Sequence, residues 1–341
     1  MKKVAGILLK TVLPLALGVY LIWYFFQSMD PEVKAYFYKA LREANYFWVF
    51  LSLLLSFFAL LSRAYRWKYL LEPMGYKTSF WNRYHAIMIG YIVNLTIPRA
   101  GEASRAGMLY RSDGVPFSKS FGTILAERVF DLIMLLSVAL LASIVGAGDF
   151  WKIKGLIEAN FSADPDSASK LQLIKWIVIG FFLLAFGIVF LIRKIRDKVF
   201  GFIKGLFAGV LSVFKTKHPF SFIGHTLFIW ILYVVYFAIC FFALPETSEV
   251  PPTGMLLAFL AGSLGITLTN GGIGVFPLVV GLVIEYYLKD QYGSQAQGIG
   301  YALGAIIWSS QTLLLIVLGL LSFFLLPKNY SKDGEIRTDQ E

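Results

Sequence analysis

Long apolar runs alternate with short polar segments along the whole chain. A helix needs about 20 residues to cross the roughly 30 Å hydrocarbon layer of a bilayer, and six of these runs are near that length or longer. Several carry Trp or Tyr near an end, as helices at the membrane interface do. The six predicted crossings are Val4–Phe26, Tyr46–Ser62, Phe121–Val145, Leu171–Ile192, Phe220–Ala243 and Gly298–Leu326.

Two further apolar stretches are interrupted in the middle. His85–Tyr110 is broken at Asn94–Glu102, and Thr253–Leu288 is broken at Thr269–Gly274. Proline and glycine both weaken a helix, so each stretch divides into halves of about 11 to 16 residues, which reach only about 17 to 24 Å. The breaks predict two re-entrant helical hairpins, because irregular backbone inside a membrane persists only where protein or a wet cavity satisfies it.

The composition supports an all-α membrane protein. Of the 341 residues, 57% are hydrophobic and only 15% are charged, and the mean hydropathy is +0.68. These values argue against a water-soluble enzyme, a disordered chain and a disulfide-stapled secreted module. One cysteine precludes an internal disulfide and a cysteine-based metal site. The start of the chain lacks a cleavage pattern, so we expect a retained anchor rather than a signal peptide.

The distribution of basic residues predicts the orientation. With the N-terminus in the cytoplasm, the inner loops carry roughly three times as many Lys and Arg as the outer loops. The net charge of +10 is thus explained without nucleic acid as a partner. We expect an inner-membrane protein with both termini inside, a single domain over residues 1–327, and a polar cytoplasmic tail over 328–341. The order of elements predicts pseudo-repeats of inverted topology at about 1–147 and 171–327, as in transporters.

The first break carries the strongest functional motif. A helix that starts after it directs free amide groups and a positive dipole at an anion, and guanidinium groups bind phosphate through paired hydrogen bonds. Glu102 and Arg105, three residues apart, are expected to pair. The pattern indicates a lipid-phosphate site or, alternatively, charges that reach the interface and neutralise one another. The predicted binding residues are Asn94, Arg99, Glu102 and Arg105, and the predicted structural or gating residues are Pro98 and Gly101.

A second charged motif lies near the start of the third crossing. Glu127 and Asp131 are four residues apart and Arg128 is three from Asp131, so all can interact on one helical face. We interpret them as a structural or gating network that holds the hairpin through Arg99 or Arg105, or as a headgroup or proton-coupling contact. Two carboxylates alone make a poor metal site, and no metal or cofactor is predicted.

The second break is polar but uncharged. Asn270, Gly271, Gly272 and Gly274 are predicted to line the outer counterpart of the first site, with glycines that serve close helix packing as the alternative. Arg63, Arg66, Trp67 and Lys68 are interpreted as a cytoplasmic anchor of the second crossing, with anionic headgroup attraction as the alternative. The three histidines follow no metal-ligand spacing.

The motifs around the first break resemble a known family. Arg63-x-x-Arg66-Trp67, Gly75, Gly90-Tyr91-x-x-Asn94-x-x-x-Pro98-Arg99-x-Gly101-Glu102-x-x-Arg105 and Glu127-Arg128-x-x-Asp131 are similar to the lysylphosphatidylglycerol synthase transmembrane region, or flippase-like, family. The resemblance covers about residues 10–325. It implies an integral membrane protein that moves or handles an anionic or lipid-linked substrate.

The resemblance also sets limits. Aminoacyl transfer in the family needs a separate domain, and only 15 residues follow Leu326, so we do not expect it here. Family members often follow the second-half glycines with a basic residue and a glutamate, whereas Phe276 and Pro277 stand here. We therefore expect a lipid flippase, a transporter rather than an enzyme, whose partner is a phospholipid or lipid-linked molecule. The alternatives are a membrane-embedded transferase, with Glu102 or Glu127 as the base, and a scaffold for a lipid-modifying enzyme.

Overall fold

The computed structural model describes residues 29–97, 99–149, 218–268 and 270–327, with a few isolated positions besides. These residues are helical, with no strand among them. The helices are α1 (Pro31–Glu43), α2 (Tyr46–Leu71), α3 (Phe80–Thr96), α4 (Gly101–Asp113), α5 (Phe117–Val145), α6 (Pro219–Ile239), α7 (Pro252–Leu268), α8 (Val275–Tyr292) and α9 (Gln295–Leu325). Short 3₁₀ turns occupy Glu72–Met74, Cys240–Ala243, Glu246–Glu249 and Asn270–Gly272.

Four helical segments in this described part are long and apolar enough to cross a membrane: Tyr46–Met74, Phe117–Val145, Pro219–Ala243 and Gln295–Leu325. They correspond to four of the six predicted crossings. The predicted crossings Val4–Phe26 and Leu171–Ile192 lie outside the described residues, as do the tail 328–341 and almost all of a separate unit formed by residues 147–215.

The α2 helix continues well past its predicted end at Ser62. It reaches Leu71 and includes Arg63 and Arg66, which are buried inside the bundle. The predicted crossing ends at Ser62 because the apolar run of the sequence ends there, just before Arg63. The helix continues because both guanidiniums have carboxylate partners on another helix. Asn45 caps the other end of α2 by accepting a hydrogen bond from the Phe47 amide at 3.1 Å.

Helices α2 and α6 form an antiparallel pair. The backbone N–H of Asn45, at the start of α2, donates to the carbonyl oxygen of Ala243, at the end of the α6 segment, at 2.7 Å. Further along α2, Ser62 Oγ lies 2.7 Å from His225 Nδ1, near the start of α6. The interrupted segments pack on this pair, with α3 in contact with α2 and α7 in contact with α6.

The first interrupted segment is a helical hairpin of α3 and α4. Gly90 and Gly101 face each other in direct backbone contact, so neither position leaves room for a Cβ atom. The turn between them includes Arg99 with φ of +61°, a conformation that non-glycine residues rarely adopt. At the open end, the Ser79 amide donates to Asp113 Oδ1 at 3.0 Å. The two arms therefore run antiparallel and end side by side.

The second interrupted segment, α7 and α8, has the same form. Gly262 in α7 packs on the ring of Phe276 in α8, close to the break. At the open end, the Tyr292 hydroxyl donates to Glu249 Oε1 at 3.0 Å. The two arms are 17 and 18 residues long, and α3 is also 17 residues long, so three of the four arms are longer than expected. The α7 arm gains only Pro252, whereas α8 continues past Leu288 through the polar and aromatic residues 289–292.

The open ends of the two hairpins lie at opposite ends of the α2–α6 pair. The α3–α4 hairpin follows the end of α2, whereas the α7–α8 hairpin follows the end of α6, which lies beside the start of α2. Their breaks meet: α3 packs on the 3₁₀ turn at Asn270–Gly272, and the Leu95 side chain lies beside Gly271.

The amphipathic helix α1 was not predicted from the sequence. It buries Val33, Phe37 and Ala40 and packs on α9, where Gly298 lies against the backbone of Val33. At 13 residues it is too short to be recognised by a search for crossings. Its apolar face follows the 3.6-residue helical period, which is the signal that could have revealed it.

Candidate functional site

The centre of the candidate site is a carboxylate on α5 held by two arginines on α2. Asp131 Oδ2 lies 2.9 Å from Arg63 Nη2, and Asp131 Oδ1 lies 2.8 Å from Arg66 Nη1. The arginines are three residues apart, so both occupy the α2 face that packs on α5. Arg66 is completely buried and also donates to Thr226 of α6 at 3.3 Å. Charges so deep in a protein persist only when paired.

A second buried carboxylate connects this pair to the first hairpin. Glu127 Oε2 accepts a hydrogen bond from Arg105 Nη1 at 2.6 Å, and Glu127 Oε1 lies 3.8 Å from Arg66 Nε. Arg105 is 5% exposed and Glu127 is 1% exposed. The α4 arm of the hairpin is thus fixed to α5 by a buried ion pair.

The guanidinium group of Arg105 stacks on the ring of Trp67. The Arg105 Cζ atom lies 3.7 Å from the centroid of the Trp67 ring, which is close for a cation–π contact. Trp67 is fully buried, and its indole N–H donates to Thr123 Oγ1 at 2.8 Å. Thr123 in turn donates to the Ser120 carbonyl oxygen at 2.7 Å. The indole ring is therefore held in one orientation by α5.

Arg128 is more exposed than the buried pairs and connects Glu102 to Asp131. Its Nη2 lies 3.0 Å from Glu102 Oε1 and its Nη1 lies 3.8 Å from Asp131 Oδ2. The side chain of Arg128 is 42% exposed and that of Glu102 is 23% exposed. The prediction that Glu102 pairs with Arg105 within α4 is wrong. Glu102 pairs with Arg128, and Arg105 pairs with Glu127. Both partners lie on α5, which packs on the inner side of α4.

These groups surround a small, partly open cavity. Three guanidinium groups and one carboxylate contribute to its wall, so the lining carries a net positive charge. The lining residues are Arg63, Ile87, Gly90, Tyr91, Asn94, Gly101, Glu102, Arg105 and Arg128. The cavity is therefore bounded by the first hairpin on one side and by the charged faces of α2 and α5 on the other.

Several buried guanidinium nitrogens have no hydrogen-bond partner within the described residues. They include Arg63 Nε and both Nε and Nη2 of Arg105. A buried N–H group without a partner costs free energy, and a guanidinium presents its donors in a planar fork that matches a phosphate or carboxylate. These donors are not engaged in the existing ion pairs with Asp131 and Glu127.

The predicted binding residues Asn94 and Arg99 differ in their relation to the cavity, and Asn94 belongs to its wall. Asn94 accepts a hydrogen bond from the Gly101 amide through its side-chain oxygen at 2.7 Å, so it caps α4 across the break. Arg99 is exposed at the hairpin turn and does not contribute to the cavity wall. Pro98 lies outside the described residues.

The second break is not part of this cavity. Gly271, Gly272 and Gly274 have φ values of +66°, +79° and +74°, which explains the glycines at these positions. The Gly271 carbonyl oxygen accepts a hydrogen bond from Trp308 Nε1 at 2.8 Å. Asn270 lies in the 3₁₀ turn, and its side chain is outside the described part of the structure.

Arg63, Arg66 and Trp67 are the site residues that sequence reasoning did not identify. They were interpreted as an anchor at the membrane surface, whereas all three are buried beside α5. The spacing of these residues could have indicated the buried pairs. Two arginines three residues apart and two carboxylates four residues apart, Glu127 and Asp131, can each present both charges on one helical face. In the described residues, no group of three or more His, Cys, Asp or Glu side chains is arranged to hold a metal ion.

The geometry defines a helical membrane protein with a partly open, positively charged cavity between the first hairpin and the charged faces of α2 and α5. The chain belongs to the family described as the lysylphosphatidylglycerol synthase TM region, which matches residues 11–319. Membership confirms the resemblance recognised in the sequence and supports a multi-pass membrane protein.

Two curated relatives are similar over part of the chain. The UPF0104 membrane protein MJ1595 of Methanocaldococcus jannaschii is 30% identical over 101 residues, which are 29% of this chain and 30% of that protein. Glycosyltransferase AglD of Haloferax volcanii is 26% identical over 248 residues, which are 63% of this chain and 39% of that protein. The matched part of this chain thus spans well under half of each relative. No solved structure matches the chain significantly.

Proposed function

We propose that this protein binds the phosphate group of a membrane lipid or lipid-linked molecule in the cavity and moves it between the two leaflets. The observation that carries the proposal is the cluster of buried guanidinium nitrogens without partners, on Arg63 and Arg105, in the wall of a partly open cavity. In an apolar bundle such donors favour an anion that arrives attached to a lipid. Family membership is consistent with a lipid substrate.

The proposal includes a topology. We place the two hairpins as re-entrant elements that enter from opposite sides, within an inner membrane and with both termini in the cytoplasm. The support is the position of their open ends at opposite ends of the α2–α6 pair and the meeting of their breaks at Leu95 and Gly271. The glycines of the second break, with Asn270, then belong to the path on the outer side.

Cysteine labelling from each side of the membrane tests the topology. In a Cys240→Ser background, Lys77→Cys and Lys119→Cys flank the first hairpin, while Glu249→Cys and Gln295→Cys flank the second. A membrane-impermeant maleimide is expected to label the first two from the cytoplasmic side and the last two from the outer side. Labelling of Lys77→Cys and Lys119→Cys from different sides would show that the first hairpin crosses the membrane.

Lipid translocation is tested with the purified full chain in liposomes. A fluorescent phosphatidylglycerol is quenched from outside, and the fraction that becomes accessible is followed over time. The translocation rate of the wild type is expected to exceed that of protein-free liposomes. The double variant Arg63→Gln with Arg105→Gln is expected to approach the protein-free rate, because the guanidinium nitrogens without partners are lost. Arg99→Gln tests whether the exposed turn arginine contributes. Arg111→Gln is the control, since this arginine is exposed at the end of the same helix and outside the cavity.

A transferase that acts on lipid-linked substrates is the second candidate, and the similarity to a protein named glycosyltransferase is the observation that favours it. Glu102 and Glu127 would then be the acids or bases near the cavity. Mass spectrometry of lipids incubated with the protein separates the two functions, because an enzyme leaves a new covalent species whereas a flippase does not. A lipid-modifying partner enzyme would be recovered by co-purification.

A further inference from the structure

We propose that Trp67 is a positioning residue that presents one edge of the Arg105 guanidinium to the phosphate of the substrate. This inference rests on the proposed function. It adds a residue that lies outside the cavity wall and reaches the site only through Arg105.

The first step concerns which Arg105 nitrogens are occupied. Nη1 donates to Glu127, whereas Nε and Nη2 have no partner within the described part of the chain. In a guanidinium group the Nε and Nη2 hydrogens point in the same direction and form a planar fork, which fits two oxygens of one phosphate. The free edge of Arg105 is thus the edge suited to bidentate binding.

The second step concerns orientation. A single hydrogen bond to Glu127 leaves the guanidinium plane free to rotate about that bond. The Trp67 ring, 3.7 Å from Arg105 Cζ, removes this freedom because the planar cation stays on the ring face. The ring itself cannot turn, since Trp67 is fully buried and its N–H is bonded to Thr123. The fork is therefore held in place before the substrate arrives.

The third step concerns energy. An arginine side chain loses considerable rotamer freedom when it binds a ligand, and a pre-oriented side chain has already lost it. Trp67 therefore improves affinity for phosphate without touching the lipid. A residue with only a packing role would change stability and leave the affinity of the folded protein unchanged.

The test measures binding of dihexanoyl phosphatidylglycerol to the purified full chain by calorimetry, with dihexanoylglycerol as the phosphate-free control. Trp67→Leu is expected to raise Kd roughly tenfold, and Trp67→Phe, which keeps a smaller aromatic face, roughly threefold. Thr123→Val keeps the volume of the side chain and is expected to raise Kd, because the indole loses its anchor. This variant covers the case in which Trp67→Leu does not fold.

A double-mutant cycle identifies the route of the effect. If Trp67 acts through Arg105, the double variant Trp67→Leu with Arg105→Gln binds within about twofold of Arg105→Gln alone. Additive losses, or an unchanged Kd in Thr123→Val and Trp67→Phe, would overturn the role of Trp67 and leave the proposed function standing. A wild type that does not prefer phosphatidylglycerol to dihexanoylglycerol would overturn both.

Discussion

The indole N–H of Trp308 donates to the Gly271 carbonyl oxygen at 2.8 Å and thereby joins α9 to the break between α7 and α8. Gly271 also lies against Leu95, at the end of α3. One hydrogen bond thus holds the second break at the point where it touches the first hairpin. The glycine is required there, because its φ of +66° disfavours a side chain and Leu95 occupies the space.

Loss of the Trp308 hydrogen bond should destabilise this junction. Trp308→Phe is expected to lower the free energy of unfolding by about 1 kcal/mol, since the Gly271 carbonyl loses its donor. Trp230→Phe is the matched control, because the Trp230 N–H is buried without a hydrogen-bond partner among the described residues. Unfolding of the two variants in detergent is compared by circular dichroism. Equal losses would mean that aromatic volume, not the hydrogen bond, matters.

Glycine at position 101 should be necessary for the first hairpin to close. Gly101→Ala places a methyl group against the Gly90 carbonyl and the Asn94 side chain, and a loss of about 1–3 kcal/mol is expected from overpacking. Gly107→Ala lies on the same helix with nothing near its Cβ position, so helix propensity should make it neutral or stabilising by up to about 1 kcal/mol. Thermal unfolding checks both. A stable Gly101→Ala would contradict the close contact.

The two ends of the charge network should differ in importance. Arg66→Met removes a completely buried partner of Asp131 and leaves that carboxylate with less compensation, so a loss of about 3–5 kcal/mol is expected. Arg128→Met removes a half-exposed arginine and should cost less than about 1 kcal/mol. Denaturant titration in detergent gives the comparison. Similar costs would show that burial does not set the strength of these pairs.

Glu127→Gln should change stability and lipid binding in opposite directions. The substitution leaves the arginines without one buried carboxylate, which lowers stability. It also removes a negative charge beside the cavity, while the glutamine oxygen can still accept the hydrogen bond from Arg105 Nη1. Phosphatidylglycerol is therefore expected to bind more tightly, most clearly at low salt. Calorimetry and unfolding are measured on the same preparation. Weaker binding by the folded variant would argue against an anion site.

The sequence predicted the helical class, four of the crossings in the described region and the location of both breaks. These features depend on local composition: the length of an apolar run and the presence of proline or glycine within it. It placed Arg105, Glu127 and Asp131 as interacting candidates, and the structure brings all three into one network. The sequence did not indicate that Arg63 and Arg66 of α2 belong to the network, because the apolar run ends at Arg63. These arginines can be buried only because they pair with Asp131 on another helix.

The sequence alone determined that the chain belongs in a membrane and where its helices are interrupted, because hydrophobicity and backbone preferences act over a few neighbouring residues. Only the tertiary structure decided which charges meet. Arg66 and Asp131 are 65 positions apart, and their contact depends on how α2 and α5 are rotated about their axes. That rotation is set by packing over the whole bundle. The cavity and its unpaired guanidinium nitrogens are consequences of the same packing.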